Sequence, residues 1–377
     1  MLYPMKFEDT YKGMPRYIWG GRNLAAIGKR LPNEGTVAES WEVSCNPAGL
    51  SVISNGQHKG EQLISVVNEF WSDIVGGAKT VASHETVADH NAVADHKAIA
   101  GSEKFPLLIK FIDANDDLSV QVHPGDEYAQ SAENEAFGKN EMWYIVAANP
   151  GAKLIYDIMP GTTKESFKLC IEENKVMELL QTVYVSPGDF INIPAGVVHA
   201  IGKGIVLAEI QQNSDLTYRL FDFDRIDPNG NPRPLHIEKA LDVINFGAEA
   251  GARKTKFHGL ALEPEPGNSR TIAIANKYFA VEKLRIRREH KGICDGNKFF
   301  ILTGISGRAT IKHEGGTTEF ASGESVLLPA RLGAYTVEGD ITYLKSYVPD
   351  IGTDIEGPLI KAGFSRQNII ENIGGMA

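Results

Sequence analysis

Residues 118–126 read LSVQVHPGD and residues 188–200 read GDFINIPAGVVHA. In an extended chain alternate residues share a face. Ser119, Gln121 and His123 therefore point one way, and Leu118, Val120 and Val122 the other. The apolar face packs, and the polar face lines an interior. In the second stretch a Gly-Pro-Gly frame turns the chain into a strand that ends on His199, aimed into that interior. Between them, GKNEMWYIV (138–146) places Glu141 at the start of an otherwise apolar run. An unpaired carboxylate there is costly, and a metal would explain it. Gln121, His123, Glu141 and His199 offer two imidazoles, one carboxylate and one amide oxygen from consecutive barrel strands. That set suits zinc, one per chain, or a similar divalent ion with a position left for substrate or water. The blander reading gives each residue its own hydrogen bond in a core; the four together favour a shared ion.

Outward from these stretches the same punctuation continues. FPLLIKF, EMWYIVA, KLIYDI and GIVLAEIQ are short apolar runs separated by Gly and Pro, the pattern of an antiparallel sandwich or barrel. Gly188, Pro194, Gly196 and His199 match the spacing G-x5-P-x-G-x2-H, the second cupin motif, with Lys203 where an Asn is usual. A helical insertion over about 162–181 interrupts the series. Thr162 and Glu165 have capping-box spacing, and Phe167, Cys170, Ile171, Val176, Leu179 and Leu180 follow at helical steps. Helices are also predicted over 60–75 and 237–246. After Arg253 strand runs resume, from TIAIAN to ITYLKSY, as a second all-β unit over roughly 265–350. It has no Q-x-H and no P-x-G-x-x-H, and Tyr335 stands where a histidine might be, so it is expected to hold no metal. The fold class is mainly β: two cupin (jelly-roll) β-barrel units with a small helical insertion. Residues 1–250 form the catalytic unit and 251–377 a degenerate one.

Thirty-eight basic against 48 acidic residues give a net charge of -10 over 377 residues, which disfavours nucleic acid and anionic membranes. No signal peptide and no membrane span are visible. Cys45, Cys170 and Cys294 form no framework, which points to a reduced, cytoplasmic protein. No Gly-rich nucleotide loop sits between strand and helix.

The strings SVQVHPGD, GKNEMWYI, PAGVVHAIG and LTYRLFDFDR, with ESWEVS and FPLLIKF, resemble the type I mannose-6-phosphate isomerase family in its short bacterial form. The likeness spans about residues 1–350 and is most specific over 105–225. It implies a metal-dependent interconversion of mannose 6-phosphate and fructose 6-phosphate through an enediol, a small sugar phosphate as partner, and a monomer or homodimer. It also implies that the ligands are Gln121, His123, Glu141 and His199 and that Arg219 is the essential arginine. Lys110, Ser119, Lys139 and Glu209 fall in or near the pocket, Glu209 or Lys139 being the acid/base group and Ser119 and Lys110 meeting substrate.

Two other functions compete: a cupin oxygenase, which four protein ligands including Gln argue against, and a sugar-binding cupin without turnover, which has no use for Arg219. Lys110 on a strand has a snorkelling alternative, and Lys139 that of a surface cation. His84, His90 and His96, six residues apart, share no helical face and are expected to be solvated. Asp113, Asp116 and Asp117 lack calcium-loop spacing.

Overall fold

The structure, a computed structural model, describes residues 2–13, 17–77, 104–227 and 230–376. His84, His90 and His96 lie outside them.

Two sheets face each other in the first half. A seven-stranded sheet takes in, among others, Val37–Val43, Leu107–Ala114, Ile205–Gln212, Glu141–Ala148 and Phe190–Ile193. A five-stranded sheet takes in Tyr218–Phe221, Val120–Val122, His199–Ile201, Lys153–Ile158 and Leu180–Tyr184. Ile112, Trp143, Ile145, Ile191 and Leu207 from the first meet Leu154, Tyr156 and Ile201 from the second in one core.

Both faces of the larger sheet are covered. Leu107, Ile109, Phe111, Met142 and Ile210 on its outer face pack against Ile274, Phe279, Val281, Ile301 and Leu344 of the second half. All eight residues of Leu107–Ala114 are consequently buried, including the one lysine. The outer face of the smaller sheet is covered by helices Lys164–Glu172 and Ile237–Val243, through Phe167, Ala240 and Leu241. The insertion helix starts one residue later than its spacing predicts. Thr163 is the cap, exchanging hydrogen bonds with Ser166, because Thr162 Oγ1 already donates to the Met159 carbonyl at 2.7 Å.

The second half is a nine-stranded sheet. KFFILTG and GRATIK, separate in the sequence pattern, are one strand, Phe300–His313, with a register shift between Gly304 and Ser306. AYTVEG and ITYLKSY likewise merge into Gly333–Tyr347. Tyr335, Tyr343, Phe320 and Leu302 fill the interior. Two pairings tie the halves together. Met5–Lys6 adds to Ser325–Leu328, and Lys256–Phe257 pairs with Phe190–Ile193. Short helices at Gly357–Lys361 and Arg366–Asn372, which the strand pattern did not announce, close the end of this sheet with Leu359 and Ile369. Among the described residues no helix is long and apolar enough to cross a membrane.

Candidate metal centre

Residues directly opposite across a ladder point to the same face. On the smaller sheet Tyr156, His199, Gln121 and Arg219 are successive partners, so the row of polar side chains is a consequence of register. On the larger sheet the row is Trp41, Lys110, Glu209 and Trp143. Glu141 shares a face with Trp143, two residues on. The four expected ligands therefore come from two facing sheets, not from consecutive strands of one. Glu141 reaches across to Gln121, His123 and His199. His199 begins its strand instead of ending one, because the Pro194–Gly196 turn delivers the chain directly to it.

His123, Glu141 and His199 are all buried, with one ligand atom from each lying within 4.8 Å of the others. His123 Nδ1 lies 2.8 Å from the Leu216 carbonyl and His199 Nδ1 2.9 Å from that of Val197. Each Nδ1 therefore carries the proton and each Nε2 presents its lone pair inward, the usual support for a ligating imidazole. His123 Nε2 is 3.5 Å from Glu141 Oε2, and His199 Nε2 is 3.3 Å from Glu141 Oε1. These are long for hydrogen bonds. Ligand atoms ~2.1 Å from one ion in tetrahedral directions stand ~3.4 Å apart. Gln121 Nε2 lies 3.4 Å from His199 Nε2, and a half-turn of the amide presents its oxygen instead.

Two further observations fit a cation. Glu141 Oε1 is buried without a hydrogen-bond partner. Glu141 Oε2 has the Lys139 ammonium as an ion-pair partner at 2.7 Å. Burial pushes the Glu141 carboxyl up to about 7. Burial also pulls His199 down to about 4 and His123 well below its usual value, keeping both imidazoles neutral as a metal requires. The residues present fit a divalent ion.

A cavity of about 450 Å³ opens above this cluster. Lys110, Ser119, Gln121, Lys139, Glu209 and Arg219 all line it. Lys139 is 4% exposed, so it is no surface cation; its Nζ is also 3.1 Å from His123 Nε2. Lys110, also 4% exposed, does not snorkel. Its Nζ lies 3.3 Å from Glu209 Oε1 and 3.8 Å from Glu39 Oε2. Burial alone would lower its pKa; Glu39 and Glu209 raise it above the usual value. Trp143 Nε1 donates to Glu209 Oε2 at 3.0 Å, and Trp41 Nε1 to Glu39 Oε2 at 2.7 Å. Glu209 Oε1 has no hydrogen-bond partner. Burial would raise the Glu209 pKa, but Lys139 and Lys110 hold it below the usual carboxylate range. Arg219 Nε donates to Ser119 Oγ at 3.2 Å and Nη1 to the Pro234 carbonyl at 2.8 Å.

The same cavity is lined by Trp19, Glu39, Asp215, Arg233 and His236, which the sequence did not single out. Glu39 alternates with Trp41 in ESWEVS, and that shared face was the available signal.

The match to known families agrees with this architecture. Residues 10–146 match the phosphomannose isomerase type I catalytic domain and residues 268–348 the cupin domain of mannose-6-phosphate isomerase. A curated relative, the mannose-6-phosphate isomerase ManA of Bacillus subtilis, is 37% identical over 89% of this chain and 96% of its own length. The chain belongs to the type I mannose-6-phosphate isomerase family. A mannose-6-phosphate isomerase of Streptococcus mutans is 35% identical over 89% of the chain and 96% of that relative. Among solved structures, the mannose 6-phosphate isomerase of Bacillus subtilis aligns with TM-score 0.75 and 30% identity, covering 91% of this chain and 99% of that one. Phosphomannose isomerase from Salmonella typhimurium, at 15% identity and TM-score 0.69, shares the fold.

Proposed function

We propose that the protein interconverts mannose 6-phosphate and fructose 6-phosphate, using one divalent metal, zinc by its donor set, held by Gln121, His123, Glu141 and His199. The observation that carries this reading is the closure of three buried ligand side chains beneath a cavity lined by Arg219, Lys139 and Glu209. A metal bound there supplies Lewis-acid polarisation of the sugar's carbonyl and hydroxyl oxygens.

Glu209 is the proton carrier between carbons 1 and 2. Its Oε2 is held by the Trp143 indole and its Oε1 faces the Lys110 ammonium at 3.3 Å, in the wall of the cavity. Lys139, beside the ligands, and Arg219, on the opposite sheet, stabilise the negative charge that develops on the sugar oxygens as the enediol forms. Arg219 is always charged and two of its donors are committed to Ser119 and Pro234, so its plane is set before substrate arrives. Ser119 and Lys110 contribute to the wall that meets the sugar phosphate. Residues 1–250 are the catalytic unit in this reading, and 251–377 a metal-free unit backing its outer face.

A coupled assay of both sugar phosphates tests this. Activity is expected on both, lost with chelator and restored by zinc or another divalent ion at about one per chain. A metal-loaded protein that turns over neither sugar overturns the substrate. Full activity in a protein stripped of metal overturns the metal role.

A further inference from the structure

Strand Tyr218–Phe221 leads into a turn with two consecutive left-handed residues, Phe223 at φ 55° and Asp224 at φ 52°. Neither is glycine, so contacts rather than backbone preference keep the turn. Those contacts converge on Asp222, which is 6% exposed. Its Oδ1 accepts from Arg225 Nη2 at 2.6 Å and from Arg233 Nη2, and its Oδ2 from Arg233 Nε at 2.7 Å. Arg233 thus meets the carboxylate as a fork, which fixes direction as well as distance. Arg225 donates in addition to the Asp117 and Asp222 carbonyls.

Arg233 is followed by Pro234, whose ring fixes its own φ and restricts the residue before it. The Pro234 carbonyl holds Arg219 Nη1 at 2.8 Å. Two residues on, His236 Nδ1 accepts from the Arg219 amide at 3.1 Å, and the His236 amide donates to the Arg219 carbonyl at 2.8 Å. Arg219 is framed on one side by Ser119 of the neighbouring strand and on the other by residues 233–236, and Asp222 pins that second side.

We propose that Asp222 is a positioning residue: through Arg233 and Pro234 it holds the Arg219 guanidinium at its working angle in the cavity. Arg219 enters here in the catalytic role proposed above. A purely structural carboxylate would affect stability and leave the turnover of the folded enzyme alone. A positioning carboxylate affects turnover, and only through Arg219.

The test is a double-mutant cycle on the metal-loaded full chain with Asp222→Asn, Arg219→Ala and the pair, following kcat, KM and bound metal. Asp222→Asn is near-isosteric and keeps one acceptor oxygen. Arg219→Ala is expected to cut kcat about 100- to 1000-fold. Asp222→Asn should cut it about 10- to 100-fold, with KM moving less. In the Arg219→Ala background Asp222→Asn should change kcat less than about twofold. If Asp222→Asn does not fold, Arg233→Lys breaks the same fork from its other side and is read in the same way. An unchanged kcat in Asp222→Asn, or an equal loss in both backgrounds, overturns the positioning role and leaves that of Arg219 standing. An unchanged kcat in Arg219→Ala overturns both. If the chain turns over neither sugar, a crystal structure of Asp222→Asn decides. Arg219 Nη1 displaced from the Pro234 carbonyl supports the role, and a hydrogen bond kept near 2.8 Å overturns it.

Discussion

Replacing Lys110 by methionine removes a cation shared by Glu39 and Glu209 while keeping the length of the side chain. Lys110 Nζ stands 3.3 Å from Glu209 and 3.8 Å from Glu39, with all three side chains buried. Removing one partner of a buried ion pair costs about 3–5 kcal/mol, because the charge left behind stays out of water. The indoles of Trp41 and Trp143 still hold one oxygen of each carboxylate, which keeps the expected loss near the lower end, about 3 kcal/mol. In urea, with a slope of about 3 kcal/mol per molar, the midpoint should fall by roughly 1 M. Glu39→Gln added to Lys110→Met removes one stranded charge and should recover about half of the loss, an interaction a double-mutant cycle measures directly. Turnover should fall as well, since Glu209 loses the ammonium that faces its Oε1. A Lys110→Met protein within about 0.5 kcal/mol of wild type, the scale of an ordinary surface substitution, would refute the triad. Lys110 would then be a substrate contact alone.

Two further outcomes follow from particular contacts. Glu282 in the second half is fully buried against Arg270, at 2.6 Å, and Lys345, at 3.4 Å. Burial would raise its pKa, but Lys345 and Arg270 bring it down from 4.5 to about 2. A folded pKa below the unfolded one gives stability that is complete above about pH 4.5 and lost as pH falls toward 2, on the order of 3 kcal/mol. Glu282→Gln should therefore unfold more easily at pH 7 and flatten the acid limb of a stability profile; an unaltered limb would exclude Glu282 as its source. Gly138 lies where an added Cβ would stand 2.4 Å from the Gly125 carbonyl carbon and 2.6 Å from the Pro124 oxygen. Gly138→Ala should push residues 139–141 off the turn after His123, lowering bound metal and kcat by at least tenfold at the scale of a 1 Å misplacement; a variant with full metal content and turnover would show that the segment yields without consequence.

Much of this molecule is local in origin and so was legible in its sequence. Strand alternation assigns Ser119 and Gln121 to one face and Glu209 to the face of Leu207 and Gln211, because successive side chains point in opposite directions whatever the rest of the chain does. Turn chemistry at Gly188, Pro194 and Gly196 places His199, and helical spacing marks the insertion around Phe167. The site residues taken from these patterns and from the family resemblance all line the cavity or lie in the cluster beneath it. Only the tertiary structure decided which face meets which. Glu141 joins Gln121, His123 and His199 because two sheets pack face to face, and the Trp143 indole reaches Glu209 across the strand register. Asp222 takes Arg225 and Arg233, leaving Pro234 to frame Arg219. Met5 pairs with Leu327, at the far end of the chain. The pairings between strands and between sheets join residues distant in sequence, and what selects them is the burial of a whole sheet face, a property no short stretch of sequence carries.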